Sequence, residues 1–236
     1  MWRVKMTNNK HFLKKAAPVF LFALLAIGLI GGTVAWLTAQ TDKKNTFTVG
    51  NFECPEYQPD GQTAITESSP DCHLVEPSWD TNAAHKLLPG AEFAKNPSVG
   101  IGEGSEDAVV YVNVTNSMSN KVYFTINTGW EPVSGYTTAG SASGTYTSGL
   151  FKYTAGLVAH TGEGSDTGDT WTTAPLFSQV TVAENAEESD WNATNNDGDY
   201  NITVDAFLHQ AKDANGNAIT ASTIETAALE AFGLNN

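Results

Sequence analysis

Basic side chains are scarce in this sequence, and those present are concentrated at one end. Five of the 12 lysines and arginines lie in the first 35 residues, so the rest of the chain carries seven basic against 26 acidic side chains, a net charge of −19. Nucleic acid and anionic membrane surfaces are poor partners for such a chain, because like charges repel. The excess indicates a solvated acidic surface, and carboxylate-rich loops that collect divalent cations are the alternative.

Cysteine is also rare, with only Cys54 and Cys72. In an exported chain an even pair of cysteines predicts a disulfide, which here contributes about 3 kcal/mol through the entropy of the closed loop. The paired C-x-x-C spacing of structural zinc sites is missing, so a zinc site that adds His73 is the weaker alternative. Two free thiols are the third interpretation.

Motifs that carry catalysis are missing. The sequence has no H-E-x-x-H zinc helix and no G-x-S-x-G nucleophile elbow. His85 and His209 are interpreted as a loop residue and a strand-edge residue. A Ser-His-Asp arrangement stays open, because its members assemble in space rather than in sequence. On its motifs, the chain is not predicted to be an enzyme, and no cofactor is predicted apart from a weak calcium candidate.

The calcium candidate is the polar stretch at residues 192–201, NATNNDGDYN. Asn195, Asp197 and Asp199 offer the oxygen ligands that a hard cation prefers. The stretch departs from the EF-hand pattern, because it has no glutamate at the twelfth position and a strand follows it. A polar turn that leads into the strand at Tyr200 is the alternative interpretation.

A signal segment is predicted at the N-terminus. Residues 1–15 carry five basic and no acidic side chains, and residues 16–37 carry no charge. A basic flank before an apolar stretch of bilayer length is typical of a signal peptide with its basic end in the cytoplasm. Small residues then predict cleavage between Ala35 and Ala39, a window that includes Trp36. A retained signal anchor is the alternative.

The rest of the chain has the period-two pattern of β-strands. In residues 107–115 the side chains of Ala108, Val110, Val112 and Val114 share one face, and residues 121–127 and 199–210 alternate in the same way. The polar stretch NSMSN between the first two segments predicts a hairpin. Shorter runs at 46–52, 150–154 and 176–182 bring the total to roughly seven or eight strands. The predicted fold is an all-β antiparallel sandwich of jelly-roll type.

Two segments depart from this pattern. Residues 131–149 are rich in Gly, Ser and Thr, which indicates a long exposed loop or a weak edge hairpin. Near the C-terminus, Ser222 and Glu225 form a capping-box pattern, apolar residues follow at helical spacing, and Gly233 ends the pattern. A short C-terminal helix is therefore predicted to pack on the sandwich.

The stretch GGTVAWLTAQTDKKNTFTVGNF at residues 31–52 resembles the start of the TasA/camelysin family, whose signal peptides are cut by the signal peptidase SipW. A later run, VEPSWDTNAAHKLLPGAEFAKNPSVGIGEGSEDAVVYVNV, is similar to a conserved stretch of clostridial-type members. Asn96, Ile101 and Val109 depart from the usual Asp, Asn and Tyr. The matching positions in this run are Glu76, Pro77, Trp79, Asp80, Pro89, Gly90, Lys95, Pro97, Val99, Asp107, Ala108, Val110 and Val112.

The resemblance implies a secreted subunit of extracellular biofilm-matrix fibres in a Gram-positive bacterium. It divides the chain into a signal peptide at 1–35, a donor or first-strand segment at 36–50, and a jelly roll at 51–236 with a Cys54–Cys72 loop insertion. The donor segment pairs with the next subunit, with Trp36 and Leu37 as apolar anchors and Phe47 and Val49 continuing the strand. The expected partners are further copies of the chain, SipW, and other matrix or cell-surface components, with membrane contact only through an uncleaved signal segment.

Three alternatives to a fibre subunit remain. Residues 46–52 are the first strand of their own sandwich if the protein is a monomeric cell-surface or accessory matrix protein. A surface adhesin is a related interpretation. The camelysin branch of the family implies a metallopeptidase, although no zinc-ligand spacing accompanies the resemblance.

Overall fold

The computed structural model describes most of the chain that follows the predicted signal segment. The signal segment itself, residues 1–35, lies outside the described residues, as do Trp36 and Leu37. Leu37–Asn236 forms one compact unit. In the described part of the chain, no helix is long and apolar enough to cross a membrane. The residues described are 38–40, 44–48, 52–55, 72–78, 87–160, 171–187, 190 and 201–235.

Strands dominate these residues, as the alternating patterns predict, and one helix follows them. The predicted antiparallel β-fold with a short C-terminal helix is therefore confirmed at this level. The elements are β1 (Thr38–Gln40), β2 (Lys44–Thr48), β3 (Leu74–Val75), β4 (Glu92–Ala94), β5 (Ser98–Val99), β6 (Ala108–Asn116), β7 (Val122–Tyr123), β8 (Trp130–Ala139), β9 (Tyr146–Tyr153), β10 (Gln179–Val182), β11 (Ile202–Gln210) and α1 (Ala221–Ala231).

The strands form three sheets. The largest has six strands in the order β1-β2-β11-β6-β9-β8, and the others are β4-β10-β7 and β3-β5. Between the named strands, every pairing is antiparallel except that of β2 with β11, which is parallel. Because antiparallel neighbours dominate, each face of the large sheet is free to pack against a different layer.

The pairing of β6 with β11 forms the centre of the large sheet. It runs over nine residue pairs, from Ile202 opposite Asn116 to Gln210 opposite Ala108. Side chains alternate between the two faces of a strand, so this register sends Val112 and Ala206 to one face and Tyr111 and Phe207 to the other. The predicted shared face of Ala108, Val110, Val112 and Val114 is confirmed, and Tyr111 on the opposite face is buried as well.

Two hydrophobic cores lie on the two faces of this sheet. The first joins the even-numbered face of β6 and β11 to β7 and β10 of the three-stranded sheet, and the rings of Phe124 and Phe177 stack there with centroids 4.3 Å apart. The second core contains Tyr111, Leu150 and Phe207 with Ile224 and Ala228 of α1. The helix therefore covers the face of the sheet that the three-stranded sheet does not.

The helix begins two residues earlier than its capping-box pattern predicts. Thr220 is the N-cap residue, and its Oγ1 accepts a hydrogen bond from the backbone N–H of Thr223 at 3.3 Å. The prediction of Ser222 as the cap is wrong, because the hydroxyl of Thr220, two residues earlier, caps the helix and Ser222 lies within its first turn. At the other end, Gly233 has φ 67° and the N–H of Leu234 donates to the carbonyl of Leu229, a Schellman motif that confirms the predicted stop.

The predicted hairpin between residues 107–115 and 121–127 is wrong. β6 pairs with β9 and β11, whereas β7 pairs with β10 in the other sheet. The polar stretch NSMSN therefore carries the chain from one sheet to the other. Alternation alone does not reveal this, because a strand has the same period whichever neighbour it pairs with.

The edge-hairpin interpretation of residues 131–149 is confirmed, since β8 and β9 pair with each other at one edge of the large sheet. The pairing jumps from Pro132 opposite Phe151 to Thr137 opposite Gly149, so extra residues bulge out of β8. A Cβ on Gly149 would lie 2.5 Å from the Cα of Thr137, and only glycine fits this close approach.

The stacked phenylalanine pair predicts the response of the first core to truncation. Phe177→Ala removes a fully buried ring, and we expect it to lower the free energy of unfolding by about 3–5 kcal/mol. Urea unfolding measures this difference. Leu88→Ala is the control, because Leu88 is 59% exposed and its loss should change stability by less than about 0.5 kcal/mol.

Candidate functional site

The first candidate feature is the pair of strands β1 and β2, named here the N-terminal ribbon. The two strands pair antiparallel, with Thr38 opposite Thr46 and Gln40 opposite Lys44. The ribbon joins the large sheet through three parallel pairs, Phe207 with Thr46, Leu208 with Phe47 and His209 with Thr48. By comparison, nine pairs join β11 to β6. The ribbon therefore lies at one edge of the large sheet, and its described pairing with β11 is short.

Residues 52–55, which follow the ribbon and are named here the root, are fixed to the body of the fold. The Gly102 N–H donates to the Glu53 carbonyl at 2.7 Å, and the Glu53 N–H donates to Ser105 Oγ at 2.8 Å. Cys54 is disulfide-bonded to Cys72, two residues before β3. The predicted disulfide is thus confirmed, and it ties the root to a second segment of the fold.

His73 lies in the same region and is only 2% exposed. Its Nδ1 is 2.8 Å from the Gly100 carbonyl oxygen, and the ring also has a backbone hydrogen bond with Phe52. Burial lowers the pKa of His73, while these hydrogen bonds and the carboxylate of Glu53 oppose the shift. The imidazole therefore connects the root to the loop at Gly100, and its burial favours the neutral form.

Glycine is required where the root meets that loop. A Cβ on Gly102 would overlap the Cys54 carbonyl oxygen and lie 2.7 Å from its carbon. A Cβ on Gly100 would lie 2.7 Å from a ring carbon of Trp171, which is itself buried. The loop in turn is tied to residues 171–173, since the Ile101 N–H donates to the Trp171 carbonyl and the Thr173 N–H to the Val99 carbonyl. The root thus rests on a well-supported surface.

Family-like positions next to this region form a second cluster. Lys95 Nζ lies 2.6 Å from Glu76 Oε1, and their side chains are only 7% and 12% exposed. The Ser78 N–H donates to Asn96 Oδ1 at 2.7 Å. Asn96 is one of the departures from the pattern that the chain resembles, and its amide oxygen accepts this hydrogen bond. These positions therefore contribute to packing of the segment after the disulfide.

Among the described residues, the potential zinc ligands do not form an available metal site. In the described part of the chain, Cys54, Cys72 and His73 are the group of ligand atoms found close together, within 4.8 Å of one another. The two sulfurs are bonded to each other, so neither is the thiolate that binds zinc. His209, at the end of β11, is partly buried and its Nδ1 lies 2.8 Å from the Gln210 carbonyl oxygen, as expected for a strand-edge residue.

The remaining predicted site residues divide into two groups. Ala39 lies in β1 and Phe47 in β2, where Phe47 is opposite Leu208 of β11. The others lie outside the described residues: Ala35, Trp36, Leu37, Val49 and the calcium candidates Asn195, Asp197 and Asp199. The structure therefore describes only part of the predicted donor segment, and the described part lies in the large sheet.

Comparison with models of protein families, with curated proteins and with solved structures finds no match to this chain. The resemblance to the TasA/camelysin family therefore stays a prediction from the quoted motifs.

Sequence reasoning missed two contacts at this site. Glu76 and Lys95 stand 19 positions apart in the family-like run, and their opposite charges were a signal that was not used to pair them. His73 was considered only as a zinc ligand, although its position directly after Cys72 places it beside the disulfide. Neither Gly100 nor Gly102 carries a sequence signal for its close contacts, since glycine-rich stretches are common in loops.

The buried Glu76–Lys95 pair predicts that a single substitution lowers the free energy of unfolding more than a double substitution does. Glu76→Gln leaves the buried Lys95 ammonium without its carboxylate, so we expect a loss of about 3 kcal/mol in unfolding free energy. The double variant Glu76→Leu/Lys95→Met should lose less, because no buried charge remains. Urea unfolding of the full mutant cycle measures the coupling.

The matched control is Asp107→Asn. Asp107 Oδ2 and Lys212 Nζ lie 4.0 Å apart with side chains 44% and 60% exposed, and such a pair should contribute less than about 0.5 kcal/mol. Equal effects of Glu76→Gln and Asp107→Asn would contradict the buried pair.

His73 predicts a pH dependence of stability. Because burial lowers its folded-state pKa below 6.5, the unfolded chain binds more protons than the folded chain between the two values. Stability should therefore fall as the pH drops through about 6.5, and level off below the folded pKa. We expect the melting temperature to decline more steeply between pH 7.5 and pH 5 in wild type than in His73→Gln. Parallel curves of melting temperature against pH would argue against a contribution of His73.

Proposed function

We propose that this protein is an exported structural subunit of extracellular fibres, assembled by strand exchange between copies. In this proposal, residues 1–35 are removed as a signal peptide, with cleavage between Ala35 and Ala39. The N-terminal ribbon of one copy then pairs with β11 of the next, in a sandwich of jelly-roll type. Head-to-tail exchange of this kind does not close, so it generates a filament.

The observation that carries the proposal is the attachment of the ribbon. In the described residues it pairs with β11 at Phe207–His209, and it begins at Thr38, inside the predicted cleavage window. A neighbouring copy offers the same ladder of backbone hydrogen bonds, so exchange costs little pairing energy. The strand order also places the ribbon at one edge of the sheet, where another copy has access to it.

Three further features support export and assembly. The motifs at residues 31–52 and 75–114 resemble the TasA/camelysin family. The disulfide is compatible with an oxidising extracellular environment. Two sheets that enclose a shared core, with β6 and β7 joined across them, are compatible with a jelly-roll sandwich.

A monomeric cell-surface or accessory protein is the second candidate. The specific observation in its favour is that β2 pairs with β11 of its own chain, as expected for the first strand of a self-contained sandwich. The two functions differ in whether this ladder is exchanged between copies.

Electron microscopy of defined N-termini separates these candidates. We expect the chain that begins at Trp36 to form fibres, and the chain that begins at Val49, without the ribbon, to stay monomeric because it has nothing to donate. Addition of a synthetic peptide of residues 36–48 in excess should shorten the fibres of the longer chain by occupying the β11 edge of free copies.

A peptide of the same composition in scrambled order is the control, since it lacks the alternation of the native strand. Globular particles from the chain that begins at Trp36, at every concentration that keeps it soluble, would overturn self-assembly and favour the monomeric surface protein. Fibres from both chains would show that the ribbon is not the donated element.

A further inference from the structure

We propose that the Cys54–Cys72 disulfide, His73 and Gly102 form an anchor that separates an exchangeable segment from a fixed one, with the boundary between Thr48 and Phe52. The inference rests on the proposed function where it concerns fibres, but its structural part concerns the single chain. Its partner is a second copy of this protein, whose position the anchor determines.

Two independent kinds of contact hold the root on the body of the fold. One is covalent, the bond between Cys54 and Cys72. The other is a set of backbone contacts, in which Glu53 bonds with Gly102 and Ser105 while Phe52 and Gly100 bond with the buried His73 ring. The root therefore has attachments that remain when the ribbon leaves β11.

Among the described residues, the pairing of the ribbon with the rest of the sheet consists of three residue pairs with β11. Openings of a folded protein occur in cooperative units whose free energies follow their contacts. We infer that the ribbon opens as one unit, whereas the root opens only together with the body of the fold.

The anchor also limits how far a donated ribbon can reach. Only three residues, 49–51, stand between β2 and the root, so the Cα atoms of Thr48 and Phe52 are at most about 14 Å apart. A copy that receives the ribbon must bring its β11 edge within that distance of the donor's root. The consequence is a narrow upper limit on the spacing between neighbouring copies.

Loss of the anchor removes this limit. Without it, the chain from Thr48 to the start of β3 at Leu74 becomes a long tether, and longer tethers allow both return to the same copy and reciprocal exchange in closed pairs. Anchor variants should therefore form monomers, closed dimers and irregular fibres in place of regular ones.

Hydrogen exchange on the single chain tests the boundary directly. The experiment uses the chain that begins at Trp36, kept monomeric at low concentration. It measures the exchange rates of three sets of amides: those of residues 38–48, that of residue 102, and that of Val112 in the centre of β6. In wild type we expect the ribbon amides to exchange on the order of 100-fold faster than residue 102, and residue 102 to follow Val112.

Two variants break the anchor by different routes. Cys54→Ser/Cys72→Ser removes the covalent link, and Gly102→Ala pushes the root off the loop with the disulfide intact. Both should raise the exchange rate at residue 102 by at least about tenfold relative to Val112. Gly104→Ala is the matched control, because Gly104 has φ 83° and nothing lies within 4 Å of an added Cβ, so it strains the same loop without touching the root.

The outcomes distinguish the anchor from the fibre proposal. Equal exchange at the ribbon and at residue 102 in wild type, or an unchanged rate in both anchor variants, would overturn the anchor whether or not fibres form. Regular fibres of wild type with irregular or closed assemblies of both anchor variants support the anchor in assembly. Fibres of unchanged spacing in both variants overturn that role and leave strand exchange standing.

Discussion

The nine-residue antiparallel ladder between β6 and β11 lies at the centre of the large sheet, and its register determines which side chains each neighbouring layer meets. One face presents Val112 and Ala206 to the three-stranded sheet, and the other presents Tyr111 and Phe207 to α1. A shift of one residue would exchange the two sets. The same β11 also receives the N-terminal ribbon, so the core and the proposed assembly edge depend on a single strand.

Local patterns in the sequence predicted the elements of this fold better than their partners. The alternation in residues 107–115 and 199–210 was sufficient to place β6, β11 and the side chains that share a face, but it did not reveal that both faces are buried. The hairpin between β6 and β7 was predicted wrongly, because the polar stretch NSMSN has the composition of a tight turn and also that of a crossing between sheets. Pairing depends on residues distant in sequence, and no local period encodes them.

At the candidate site, too, local sequence features were predictable and contacts between distant residues were not. Cysteine count was enough to predict the Cys54–Cys72 bond, since only one pairing exists. The role of Gly102 depends on the backbone of Cys54 approaching it, and such an approach is a property of the folded chain alone. The parallel pairing of β2 was likewise beyond prediction, because a short strand of residues 44–48 has no feature that selects a direction or a neighbour.

The bulge in β8 gives the large sheet two unlike edges. At one edge, Pro132 lacks a backbone N–H and the following residues leave the regular ladder before it resumes at Thr137, a combination that does not offer a flat row of donors and acceptors. The other edge carries the short, regular strands β1 and β2. A sheet built in this way has one edge better suited to strand addition than the other, so the proposed polymer would have chemically distinct ends and little tendency to side-by-side sheet fusion.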